Sequence, residues 1–174
     1  LITGQRLQAL HLIKLSQIVG DEQGFKIFID DTTKTSIRSG EHPCLHIPYF
    51  LDQPAICAAT TLTDYMDATK TLRKNDEQAL FLCARKPHHP ASKQTLSRWI
   101  KRTLEKSGVD ISIFTPHSTR HASSSSAKRT GLSLAIINKT CGWSNTSKMF
   151  AEVYNRPLRD TFAFGRTILQ TAKL

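Results

Sequence analysis

Cysteine is scarce in this chain and never paired: Cys44, Cys57, Cys83 and Cys141 stand far apart, with no C-x-x-C spacing. That pattern excludes a zinc ribbon and a disulfide framework, and it reads as reduced thiols in a reducing compartment. His88 and His89 have no acidic or thiol neighbour at ligand spacing, so no metal site is expected. Long apolar runs are missing too. No stretch approaches the roughly 20 residues that span a bilayer, and no basic-then-apolar leader opens the chain. A soluble, intracellular protein is expected, nuclear if the host is eukaryotic. No Gly-x-Ser-x-Gly pattern surrounds the serines at 123–126, which excludes a nucleophile elbow there. Internal repeats and low-complexity linkers are absent. The 174 residues, 39% of them hydrophobic, suffice for one globular domain and are too few for two comfortable ones.

Negative charge is the last shortage. Fourteen acidic residues face 24 lysines and arginines, for a net charge of +10 and a pI near 9.7. A cation excess of this size favours a polyanionic partner, with nucleic acid ahead of an anionic membrane.

What is present reads as an α+β chain, mainly helical with a small antiparallel sheet. The chain opens on Leu1-Ile2-Thr3-Gly4-Gln5-Arg6 already in apolar register, as though cut from something longer. Leu7, Leu10 and Ile13 then predict a short amphipathic helix over residues 5–13. Arg6 lies near its start, where a cation opposes the helix dipole and asks for a compensating anion. From Gly24, Phe25, Ile27 and Ile29 alternate with Lys26, Phe28 and Asp30 as a strand, and Cys44 to Ile47 forms a second. The polar stretch from Lys34 to Gly40 connects them, and there Lys34 is a loop lysine. Pro54 starts a helix to about Arg73 on the stripe Ile56, Ala59, Leu62 and Met66. Leu80 to Cys83 is a buried strand or an extended crossing, followed by a loop over Lys86 to Pro90.

Ser92 is an N-cap for a helix to Lys106, closed by Gly108, with Leu96, Ile100 and Leu104 as its buried row. Its remaining face carries Lys93, Gln94, Ser97, Arg98, Lys101 and Arg102. Cations and an amide on one helix suit phosphate contact and base-edge reading in a major groove. In Thr115-Pro116-His117-Ser118-Thr119-Arg120, Pro116 is expected in the first turn of the next helix. His117 and Arg120, three apart, then share a face and aim a proton-transfer group and a fixed cation at one anion. The serines that follow are small enough for close helix packing and are read as structural. Gly131 ends this helix, Ser133 caps another over Leu134 to Cys141, and Gly142 stops it. A last turn holds Met149, Phe150, Val153 and Tyr154. The tail from Leu158 to Leu174, after Pro157, is apolar enough to pack on the body or on a neighbouring subunit.

From Leu1 to about Pro157 the order of these motifs resembles the catalytic domain of the tyrosine recombinases, the phage integrase family, and particularly the recombinase domains of eukaryotic DIRS-like mobile elements. Thr-Gly-Gln-Arg resembles the family's first arginine box, and Lys-Thr-Ser-x-Arg-x-Gly its β-hairpin lysine loop. His117-Ser118-Thr119-Arg120 is similar to the His-x-x-Arg box, and Gly142-Trp143-Ser144 stands where the family usually has Gly-His-Ser. The resemblance implies a catalytic set of Arg6, Lys34, His117, Arg120, Trp143 and Tyr154, with Tyr154 as the nucleophile. It implies transfer of a DNA phosphodiester to the tyrosine as a 3′-phosphotyrosine, without a cofactor or metal. It further implies double-stranded DNA as partner, self-association on that DNA, and a separate N-terminal core-binding domain that this stretch does not contain. Two positions depart from the pattern: Ala9 stands where an acidic residue usually follows the first arginine, and the interval from Trp143 to Tyr154 is slightly long. Three other readings stay open: a decayed DNA-binding module of the same fold, a type IB topoisomerase-like enzyme, and a basic helical protein-interaction domain.

Overall fold

Alternation of Ile27 and Ile29 with exposed neighbours is what seats the sheet on its core, and both side chains are fully buried. The computed structural model describes residues 2–31, 42–74, 77–144, 148 and 150–155. Lys34 and its connection, and the tail beyond Asn155, lie outside the described residues. The described elements are α1 (Leu7–His11), β1 (Ile18–Asp21), β2 (Gly24–Phe28), β3 (Cys44–Pro48), α2 (Ala58–Thr69), α3 (Lys93–Lys106), α4 (Ser118–Arg129) and α5 (Leu134–Cys141), followed by a π turn over Phe150–Tyr154.

The sheet has three antiparallel strands in the order β1-β2-β3, one more than the sequence pattern indicates. β2 is the centre: Ile27 faces Ile18 on one side and Leu45 on the other. β1 escapes periodicity because it is an edge strand with three of its four residues exposed, so no alternation is written into it. Its hairpin is fixed instead by Asp21, whose Oδ1 accepts from the backbone N–H of Gln23 at 2.8 Å and of Gly24 at 3.1 Å.

Two hydrophobic clusters hold the described residues. The first joins Ala9 and Ile13 from around α1 to Ile27, Ile29, Leu45 and Leu80, with Leu62, Tyr65 and Met66 of α2 packed against it. The extended crossing at Leu80 is clamped by Arg73, which donates to the carbonyls of Ala79 and Leu80 and to Thr69 Oγ1. The second cluster is Ile137, Cys141, Trp143, Phe150 and Tyr154. Both expected N-caps form: Ser92 Oγ accepts from Thr95 N at 3.2 Å, and Ser133 Oγ from Ile136 N at 3.3 Å. Gly142 closes α5 with φ 65°, a left-handed cap that favours glycine.

Three expectations need correcting. The α1 helix covers only Leu7–His11 instead of residues 5–13, because Arg6 is already its extended N-cap and Leu12 its C-cap. Ile56 leaves the predicted stripe and is 65% exposed, since Pro54–Ile56 is a separate 3-10 turn and Cys57, with ψ 104°, breaks the helical phase before α2. Pro116 lies before the cap of α4, and His117 itself is the N-cap residue, in αR conformation. No helix among the described residues is long and apolar enough to cross a membrane.

Candidate active site

Arg120 projects from the first turn of α4 into the seam between the two clusters and is 2% exposed. A buried guanidinium needs acceptors. It finds two backbone carbonyls: its terminal nitrogens donate to Gly4 O at 3.0 Å and Cys141 O at 2.7 Å. Gly4, 116 positions from Arg120, and Cys141 are thereby tied to one side chain, and a bond from Gln5 Nε2 to Thr140 O joins the same two segments. The guanidinium carbon lies 4.3 Å from the centroid of the Trp143 ring and 5.3 Å from that of Tyr154, within cation–π range. Two buried donors in this cluster, Arg120 Nε and Trp143 Nε1, make no hydrogen bond among the described residues.

Tyr154 comes to this cluster from the π turn. Such a turn takes up one more residue than an α turn, which absorbs part of the long interval after Trp143. The phenol hydroxyl is 2.7 Å from His117 Nε2. Its ring also packs at 4.6 Å from Trp143. His117, Arg120, Trp143 and Tyr154 thus meet at one point, although 37 positions separate the histidine from the tyrosine.

Arg6, half-buried at the N-cap of α1, brings a further cation close. Burial holds the His117 imidazole below its ordinary value, and the charges of Arg120 and then Arg6 push it further down. Burial first, and then the charge of Arg6, lower the Arg120 guanidinium as well. Two guanidiniums and a histidine that resist each other's charge form a site that would be relieved by an anion. Ala9, at the position where an acidic residue was expected, is buried in the first cluster, so a carboxylate there would displace core packing.

A cleft of about 350 Å³ leads to this point, lined by Gln5, Ser97, Ile100, Pro116, His117 and Arg120. Ser97 connects it to α3. Lys93 and Lys101 lie one turn to either side of Ser97 on the same helix face, while Gln94, Arg98 and Arg102 occupy the adjacent face, about 100° around. Lys93, Gln94, Arg98, Lys101 and Arg102 are exposed, and Ser97 is half-buried. Leu96 is buried as expected, whereas Ile100 and Leu104 are half-buried, because they form part of the wall of an adjoining apolar cleft with Trp99 and Leu10.

Elsewhere, folding brings Cys83 Sγ to 3.5 Å from His89 Nδ1, a neighbour that sequence spacing had not indicated. Among the described residues no group of three or more metal-ligating side chains forms.

The model of the phage integrase family matches residues 1–159. The chain belongs to the phage integrase family. No curated protein sequence matches it. Several solved structures share its fold, three of them as follows. XerA recombinase superposes with a TM-score of 0.69 at 21% identity, covering 99% of this chain and 54% of its own. XerH site-specific recombinase, bound to its difH substrate in a pre-cleavage complex, gives 0.65 at 14% identity, with 97% and 44% coverage. A lambda integrase dimer bound to a COC′ core site gives 0.60 at 20% identity, with 91% and 50% coverage. The chain therefore spans about half the length of these proteins.

Sequence reasoning overlooked three residues of this candidate site. His121 stacks on the Tyr154 ring, with centroids 4.2 Å apart and planes 15° from parallel. Ser125 Oγ donates to the Tyr154 carbonyl at 2.6 Å. Gly4, at φ 54°, presents the carbonyl that Arg120 uses, and a Cβ there would meet Cys141 Sγ at 2.6 Å. The signal for the first two lies in the spacing 117, 121 and 125, one helix row; nothing in the sequence says that the row meets a tyrosine.

Proposed function

We propose that this chain is the catalytic part of a DNA-breaking and rejoining recombinase that works through Tyr154. The observation that carries this reading is the 2.7 Å contact between the Tyr154 hydroxyl and His117 Nε2, beside the buried Arg120. In the proposed step the phenolic oxygen attacks the phosphorus of a DNA phosphodiester. The bond from phosphorus to the 5′-oxygen breaks, and a 3′-phosphotyrosine and a free 5′-hydroxyl result. His117 takes the phenolic proton, which its lowered basicity favours by keeping the imidazole neutral beforehand. Arg6 and Arg120 neutralise the non-bridging oxygens, and the indole N–H of Trp143 donates to the same group. Lys34 gives its proton to the leaving 5′-oxygen. The phosphotyrosine conserves the bond energy, so attack by a 5′-hydroxyl reverses the step without ATP.

Double-stranded DNA along α3 is the proposed substrate, with Lys93 and Lys101 on the cleft side contacting phosphates and Gln94, Arg98 and Arg102 on the adjacent face. An N-terminal core-binding domain would complete the clamp, and self-association on DNA would pair two cleavage sites. The motifs quoted above support a recombinase of the DIRS-like mobile-element type, acting in DNA integration and recombination, and in a eukaryotic host such an enzyme works in the nucleus.

The test is covalent trapping on a library of nicked duplexes with randomised sequence. An SDS-resistant adduct that Tyr154→Phe abolishes while DNA retention persists supports the reading. Retention without any adduct indicates a decayed DNA-binding module, and supercoil relaxation without strand exchange a topoisomerase-like enzyme.

A further inference from the structure

We infer that His121 is a positioning residue that fixes the plane of the Tyr154 phenol, completing a three-rung cradle on one face of α4. The inference rests on the reading of Tyr154 as nucleophile. His117, His121 and Ser125 recur every four residues from the start of α4, so their side chains lie in one row. Each touches a different part of the same tyrosine. His117 Nε2 meets the hydroxyl at 2.7 Å, the His121 ring lies flat against the phenol at 4.2 Å and 15°, and Ser125 Oγ holds the backbone carbonyl at 2.6 Å. Head, ring and main chain are therefore set by one rigid element.

The hydroxyl contact alone leaves the phenol free to turn about its Cβ–Cγ bond, because rotation about that axis barely moves the hydroxyl oxygen. What rotation does change is the direction of the oxygen's lone pairs and its proton. Attack on phosphorus needs that direction held while the proton leaves toward His117. The flat face of His121 supplies the restraint. His121 also meets His117 edge-on, with centroids 5.5 Å apart, so one ring keeps both partners of the proton transfer in register. Trp143, tilted 56° to the phenol at 4.6 Å, limits the phenol from another direction but does not lie parallel to it. His121 is thus the group stacked on the phenol plane among the described residues.

The test compares His121→Ala with His121→Phe, which keeps a flat ring and has no ring nitrogen. Single-turnover adduct formation should fall about tenfold in His121→Ala, with DNA affinity and melting temperature near the parent, and should recover most of the way in His121→Phe. A parental rate in His121→Ala, or a loss that His121→Phe leaves unrepaired, overturns the inference. Nuclear magnetic resonance of ring-labelled tyrosine gives a second readout that needs no activity. Slow flipping of the Tyr154 ring in the parent and fast flipping in His121→Ala are expected, and unchanged ring exchange refutes the restraint. If the parent forms no adduct but its Tyr154 ring is released by His121→Ala, the catalytic reading fails and the cradle stands.

Discussion

Arg120 works twice. Its terminal nitrogens hold the carbonyls of Gly4 and Cys141, and removal leaves both without their donor in a buried seam. Arg120→Ala should therefore lose on the order of 3 kcal/mol of stability in addition to the cleavage proposed for it, as denaturant unfolding will read. Gly4 gives the cleaner probe, since it touches no reacting atom. Gly4→Ala combines a strained φ with a contact on Cys141 Sγ, and should destabilise the fold by about 1–2 kcal/mol. It should also slow adduct formation by displacing the carbonyl that aims Arg120; an unchanged rate in a folded variant would sink that link. As the proposed base, His117 should set the pH response. Burial, Arg120 and Arg6 hold its imidazole below the ordinary value of 6.5, so the base stays neutral as pH falls through that value. The acid limb of the cleavage profile should lie below pH 6.5, and Arg6→Gln should move it upward, as a pH–rate series will measure. The sign for stability agrees: the unfolded chain binds the proton first, so stability is full above 6.5 and declines as pH falls toward the lower folded value.

At the scale of elements, α4 carries the site and α5 supports it. The carbonyl of Cys141, last residue of α5, anchors Arg120, so a fault at the other end of that eight-residue helix should be felt at the site. Ser133→Ala removes the N-cap and should cost about 1 kcal/mol of stability, with hydrogen exchange rising first in the amides of α5. α3 presents cations and carries none of the proposed reacting groups. Lys101→Ala should lower the slope of log affinity against log salt by about one while leaving the cleavage rate of bound DNA nearly unchanged. A variant that binds like the parent at every salt concentration would remove Lys101 from the interface.

Over the whole molecule, the site lies where two separately packed clusters meet. One contains the sheet and α1, the other Trp143, Phe150 and Tyr154, and Arg120, packed on the second, is tied through Gly4 to the segment that leads into α1. The proposed reacting groups thus come from both sides of the seam: Arg6 from the first side, His117 and Arg120 from α4, Tyr154 from the second. Under the proposed mechanism, that geometry would couple catalysis to the assembly of the two clusters.

Local chemistry determined much of this molecule before any folding. The caps at Ser92 and Ser133, the stop at Gly142, the buried face of β2 and the motif order each depend on a side chain and its near neighbours, so the chain itself displays them. Other features depend on who lies opposite. β1 has no alternation because its surroundings are mostly solvent, and Ile56 left its stripe because a 3-10 turn changed the phase. The carbonyls that hold Arg120 are backbone atoms, invisible in residue type. His121 and Ser125 could be placed on one helix row from spacing alone, but only tertiary packing, which joins positions 37 and 116 residues apart, laid that row along Tyr154 and brought Gly4 to Arg120.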